Sequence, residues 1–129
     1  HAMEAIGNLK AEGYRVGICT NKPEGLARLL LTRLGVLKEF HSLIGADTLP
    51  TRKPDTAPYV AAVEQAGGSV ERSLLVGDTM TDRQTSLNAG VPSVLVTFGP
   101  GAEDVKAMDP EALLSDYRHL RSVVSSLIG

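Results

Sequence analysis

Cysteine occurs once in the 129 residues, at Cys19. That excludes an internal disulfide framework and a zinc cluster built on cysteines, and it fits a reducing cytoplasm. Tryptophan is absent and aromatic residues make up only 4%, so the core has to be aliphatic. Neither sign of charge is in excess, since 13 Lys and Arg face 15 Asp and Glu, a net of −2. A chain so balanced offers no basic field to a nucleic-acid backbone or an anionic membrane. No apolar run approaches the ~18 residues of a membrane span. No basic segment followed by an apolar one opens the chain, as a secretory signal would. What is present, 43% hydrophobic and 22% charged residues, is an ordinary globular composition. The expectation is a cytoplasmic domain, or a portion of one, with neither nucleic acid nor membrane as partner. His1-Ala2 reads as a vector scar ahead of Met3, which places the domain at residues 3–129.

Apolar periodicity and turn residues divide the chain into alternating elements. Helices are expected over 4–12, from Pro23 to about Leu34, over 58–66, from about Thr81 to Ala89, and over 116–127, with one or two helical turns within 102–108. Leu26, Leu29, Leu30 and Leu34 give the second helix a broad apolar face. Strands are expected over 14–19, 42–44, 73–76 and 93–97, with a short edge strand at 112–114 and a turn at Gly99-Pro100-Gly101. Helices between strands 25 to 30 residues apart mean parallel βαβ units. Apolar runs that do not alternate mean a sheet covered on both faces. The predicted fold is α/β: a three-layer, doubly wound, Rossmann-like parallel sheet.

In such sheets ligands bind beyond the carboxyl ends of the strands. Three polar segments fall there. Thr20-Asn21-Lys22-Pro23 follows the first strand, Thr51-Arg52-Lys53-Pro54-Asp55 follows the second, and Gly77-Asp78-Thr79-Met80-Thr81-Asp82 follows the third. Thr20 offers a hydroxyl beside a helix N-terminus, which favours an anion. Lys53 offers a point charge for phosphate oxygens. Asp78 and Asp82 supply hard oxygen ligands of the kind magnesium takes while it shares its shell with a phosphate. Singly, each has a plain explanation: Thr20 and Asp78 as helix caps, Lys53 as a solvated charge. Their coincidence at one sheet edge is the stronger signal. His41, with no partner at ligand spacing, reads as a surface histidine, and Arg83 is expected to face solvent. Arg118 and His119 are expected to be solvated, and Cys19 to lie in the core.

Thr20-Asn21-Lys22-Pro23, Gly45-Ala46-Asp47-Thr48-Leu49-Pro50, Arg52-Lys53-Pro54-Asp55, Gly77-Asp78-Thr79 with Asp82, and Asn88-Ala89-Gly90-Val91-Pro92 together resemble the haloacid dehalogenase superfamily. Within it they are most similar to the phosphoglycolate phosphatase branch. The resemblance implies a magnesium-dependent phosphomonoester hydrolase that works through an aspartyl-phosphate, on a small phosphorylated metabolite. It makes Thr20 and the Asn21 backbone N–H phosphoryl-binding groups and Lys53 the neutralising lysine. Asp78 becomes a metal ligand, Asp82 a holder of metal-bound water and Thr79 a supporting residue.

The family's first motif, an Asp-x-Asp-Gly-Thr string that supplies the nucleophile, does not occur in these residues, nor does the cap domain that follows it. Before Thr20 the only carboxylates are Glu4 and Glu12. The resemblance implies that the strand bearing that motif lies between the first and third strands of this chain. Its absence leaves two open edges, which invite self-association or the missing segment. The expectation is that the two strands close up directly into one compact sheet, and that the chain is inactive alone. A non-catalytic phosphate- and magnesium-binding module on the same fold is the alternative. A receiver-type module would need a lysine on a later strand, and none lies between Asp78 and Lys106.

Overall fold

The computed structural model describes residues 1–98 and 102–129, so the turn expected at Gly99-Pro100-Gly101 lies outside the described residues. The first elements are α1 (Ala2–Ala11), β1 (Gly17–Cys19), α2 (Glu24–Arg33), β2 (Ser42–Ile44) and α3 (Thr56–Gln65). They are followed by β3 (Leu75–Gly77), α4 (Met80–Ala89), β4 (Ser93–Val96), α5 (Ala102–Ala107), β5 (Ala112–Leu114) and α6 (Leu120–Ile128). The boundaries follow local chemistry. Asp55 caps α3, its Oδ1 accepting from Ala57 N at 3.0 Å, so the helix starts two residues before Pro58. Gly90 ends α4 at φ +70°, a conformation that costs glycine nothing. Ala2 is helical and Ala5 N donates to His1 O at 3.0 Å.

All strand pairs are parallel, but they form two sheets: β1-β2, and β3-β4-β5 in that order. The expected direct pairing of the first and third strands is therefore wrong. A cavity of about 740 Å³ separates them, bounded by Gly17, Ile18 and Cys19 on one side and Leu74, Leu75 and Val76 on the other. The physical reason is that the helical layers fix the spacing. On one face Ala5 and Leu9 of α1 and Leu120 and Val124 of α6 pack against Val94, Val96 and Leu114. On the other, Tyr59 of α3 packs against Leu75 and Val91, and Ser42 Oγ of β2 donates to Ala62 O of α3 at 2.6 Å. Closing the slot would require α3 to leave β2 or Leu75. Successive side chains of β4 alternate between these faces, as a pleated strand requires: Val94 meets α1 and α6, whereas Ser93 meets α4.

Three further expectations are corrected. Leu26, Leu29, Leu30 and Leu34 are 53%, 47%, 47% and 64% exposed, and α2 buries only Ala27. This helix is held at its start rather than along its leucine stripe. Asp47 Oδ1 accepts from Glu24 N at 2.8 Å, and a Cβ on Gly45 would run into the Glu24 backbone. His41 is half-buried and continues the β1–β2 ladder, its Nδ1 accepting from Val16 N at 2.9 Å while its own amide donates to Val16 O at 2.7 Å. Arg83 is 7% exposed. Its guanidinium pairs with Glu111 at 2.9 Å, donates to Ser86 Oγ and Ser93 Oγ, and reaches Met108 O and Asp109 O at 3.2 and 3.0 Å. The small hydroxyl residues around it provide the room and the acceptors that an arginine in this layer needs. Arg118 is exposed as expected, paired with Asp116 at 2.6 Å.

The Arg83 network has a pH consequence. Burial pushes the Glu111 carboxyl up, but the Ser93 amide and the Arg83 guanidinium outweigh it and hold the group below its ordinary value. A carboxyl depressed in the folded state stabilises the fold above the ordinary glutamate range, and that stabilisation is lost as pH falls through it. Glu111→Gln is therefore expected to be less stable than the native chain at pH 7. The difference should shrink toward zero as urea midpoints are followed down to pH 3.

Candidate active site

The ends of β1 and β3 emerge at one edge of the molecule, and hydrogen bonds tie them together there. β1 runs into Thr20, whose amide extends the ladder by donating to Ile44 O at 2.9 Å. The Thr20 hydroxyl turns back to accept from Lys22 N at 3.1 Å, so it caps the turn that leads into α2. Asn21 then reaches sideways to the loop after β2. Its Oδ1 accepts from Lys53 N at 3.2 Å and its Nδ2 donates to Lys53 O at 3.1 Å.

From that loop the Lys53 side chain crosses to α4, where Nζ meets Asp82 Oδ1 at 2.6 Å. Each side chain of the pair is only 9% exposed. Asp82 is fixed by its own turn: its Oδ2 accepts from Asp78 N and from Thr79 Oγ1, each at 3.0 Å. The Thr79 hydroxyl in turn accepts from Asp82 N at 3.2 Å. This reciprocal cap starts α4 and leaves one Asp82 oxygen for the lysine. Two charges taken out of water are costly unless geometry and further hydrogen bonds compensate. Here three donors converge on one carboxylate, so both Asp82 oxygens are engaged.

Cys19, half-buried beside Thr20, lies close enough to feel both charges. Burial pushes its thiol up, Lys53 draws it down and Asp82 raises it further. Asn21, Lys53, Asp78, Thr79 and Asp82, all singled out from the sequence, form one connected set, with Thr20 adjacent to Asn21 at its margin. Asp78 is exposed and its carboxylate accepts no hydrogen bond among the described residues. Asn88, quoted from the sequence only as part of the resemblance and given no role, donates its Nδ2 to Pro54 O at 3.0 Å; Gln84, which sequence reasoning missed, donates to Asn88 Oδ1 at 2.9 Å. A polar side chain one turn after Gln84 on a helix was a visible signal only in retrospect of the loop it meets.

An ammonium and a hydroxyl near a helix start are groups of the kind that suit an oxyanion, although the amides named above already donate within the chain. As a metal centre the arrangement is incomplete. Asp78 is available as an oxygen ligand, whereas both Asp82 oxygens are engaged by protein donors. No group of three or more His, Cys, Asp or Glu among the described residues could hold a metal ion. The acidic residues present therefore do not make a divalent-cation site by themselves.

Gly77 sets how closely β3 approaches Asp82. A Cβ there would land on the Asp82 carboxylate, so that carboxylate has to move and the Lys53 pair opens. Gly77→Ala is expected to cost about 1–3 kcal/mol, the range for forced overpacking, as measured by urea unfolding.

Comparison with known proteins places these features in a family. The profile of the haloacid dehalogenase-like hydrolases matches residues 1–96. A phosphoglycolate phosphatase of Rhodospirillum rubrum is 42% identical over 119 residues, which is 92% of this chain and 49% of that protein. Among solved structures, a predicted phosphoglycolate phosphatase of Haemophilus somnus superposes with a TM-score of 0.84 at 28% identity, covering 94% of this chain and 54% of that one. A hydrolase of the same superfamily from Ehrlichia chaffeensis superposes with a TM-score of 0.78 at 23% identity, covering 99% and 58%. The likeness extends across both half-sheets, yet the chain spans about half the length of the curated relatives it matches.

Proposed function

We propose, from the premise that this chain belongs to the haloacid dehalogenase-like hydrolase family, that it is part of a phosphomonoester hydrolase of the phosphoglycolate phosphatase type. The observation that carries the reading is the buried Lys53–Asp82 pair. It sits at the strand-tip edge, with Asn21 and Thr20 beside it. A lysine held there would neutralise a phosphoryl group that arrives at that edge. Thr20 would donate its hydroxyl to that group, and the Asn21 backbone N–H would add a second donor.

Asp78, Asp82 and Thr79 would contribute to a magnesium site, Asp82 through bound water. The residues described here leave that site short of ligands, so the remaining oxygens would arrive with the segment that fills the slot. That segment is the natural place for the nucleophilic carboxylate. Neither Glu4 nor Glu12 can serve, because both lie outside the strand tips and Glu12 is paired with Arg121 at 2.6 Å. The proposed division of labour is therefore a phosphate cradle on this chain and the attacking group on a strand between β1 and β3. The small phosphorylated substrate would be chosen outside these residues.

Calorimetric titration of inorganic phosphate in the presence of magnesium tests the cradle. The native chain should bind and Lys53→Met should bind at least tenfold more weakly, about 1.4 kcal/mol. Equal affinity in the two would remove Lys53 from the site. The absence of a nucleophile-bearing string in these residues favours one second reading, a cradle that binds phosphate without chemistry.

A further inference from the structure

Among the described residues the loop between β2 and α3 has no strand or helix of its own, and from it the Lys53 side chain reaches Asp82. We propose that Asn21 and Asn88 are positioning residues: two side-chain amides that clasp the Lys53-Pro54 backbone and thereby hold the Lys53 ammonium against Asp82.

Three backbone atoms in succession are occupied. Lys53 N donates to Asn21 Oδ1 at 3.2 Å and Lys53 O accepts from Asn21 Nδ2 at 3.1 Å. Pro54 O accepts from Asn88 Nδ2 at 3.0 Å. A primary amide is the side chain that can satisfy a backbone N–H and C=O at once, as another peptide group would. Alanine does neither and aspartate only accepts. Asn88 is itself oriented, its Oδ1 taken by Gln84 at 2.9 Å, so its donor is aimed at Pro54.

The two asparagines come from opposite sides of the slot. Asn21 follows β1 of the two-stranded sheet, and Asn88 lies on α4, which is packed on β3 and β4 of the other. With no strand pairing between the sheets among the described residues, the loop and its two amides are a polar strap across the divide at the edge where the ligand is proposed to bind. The role assigned to the Asn21 side chain is separate from the phosphate contact proposed for its backbone N–H. What Lys53 does rests on the proposed function; how Lys53 is held does not.

The test is nuclear magnetic resonance of the 129-residue chain and of Asn21→Ala and Asn88→Ala, both exposed sites. It reads amide hydrogen exchange and the Lys53 ammonium signal. In Asn21→Ala the Lys53 amide should exchange about fivefold faster, the loss expected for one hydrogen bond. In Asn88→Ala that amide should stay protected. The Lys53 ammonium signal should weaken in both variants, while the Val94 and Leu95 amides of β4 keep their native protection. General destabilisation would instead accelerate Val94 and Leu95 as well, and that result overturns the positioning role. Native Lys53 amide and ammonium behaviour in both variants also overturns it. Failure of the native chain to bind inorganic phosphate would count against the proposed function alone, because the exchange comparison decides the clasp without any ligand.

Discussion

Arg83→Met is expected to lower the unfolding free energy by about 3 kcal/mol, the lower end of the range for removing one partner of a buried ion pair. The lower end applies because Glu111 keeps 39% exposure on its side chain and can recover part of its hydration. The cost remains large because the guanidinium serves more than Glu111. It also satisfies Ser93 Oγ, Met108 O and Asp109 O; Ser93 is fully buried whereas Asp109 is exposed, and a buried acceptor left without a donor costs about 1–3 kcal/mol. Methionine fills much of the volume but returns none of these bonds. Arg83→Lys should recover little, since one ammonium cannot span the acceptors that the planar fork reaches. Urea midpoints at pH 7 check both variants, and a loss below about 0.5 kcal/mol, typical of surface positions, would mean that Arg83 is not the tie between α4 and the 108–111 segment.

The second large effect concerns the slot. β1 and β3 each pair on one side only among the described residues, and their tips are bound to the same ion pair, so they run in the same direction. A strand parallel to both would gain a hydrogen-bond ladder on each edge and would be covered by α1 and α6 on one face and α3 on the other. Its sequence should therefore be apolar without alternation until it reaches the strand-tip edge, where polar groups meet Lys53 and Asp82. A synthetic peptide with four or five apolar residues ahead of Asp-x-Asp-Gly-Thr has that pattern. At about 100 times its dissociation constant it should stabilise the chain by about 2.7 kcal/mol, visible as a raised urea midpoint. A scrambled peptide of the same composition should leave the midpoint unchanged.

Much of the fold was legible in the residues. Gly13, Gly35, Gly67 and Gly90 take positive φ, each directly after an expected helix end at 12, 34, 66 or 89. The continuous apolar runs at 42–44 and 93–96 became buried parallel strands. The candidate site residues stood out because each strand tip carried a polar segment of distinct chemistry. What local patterning could not reveal was spacing between elements. Whether β1 reaches β3 depends on how far α3 and the α1–α6 layer hold the two sheets apart, which no window of sequence contains. The leucine stripe of α2 illustrates the same limit, since periodicity identifies an apolar face but not what lies opposite it. Arg83 was misjudged because its acceptors, Ser93, Glu111 and two carbonyls, are 10 to 28 residues away. Asn21 was assigned a backbone role because the partner of its side chain, Lys53, lies 32 residues along the chain.

The most direct measurement is hydrolysis of a generic phosphomonoester, with magnesium, by the 129-residue chain alone and with the Asp-x-Asp-Gly-Thr peptide. No turnover should occur without the peptide. Turnover should appear with it and disappear again in Lys53→Met and when the first Asp of the peptide is replaced by Asn. Turnover by the chain alone, or a peptide that binds in the slot and restores none, would contradict the assignment of the phosphate cradle to this chain and of the nucleophile to the strand between β1 and β3.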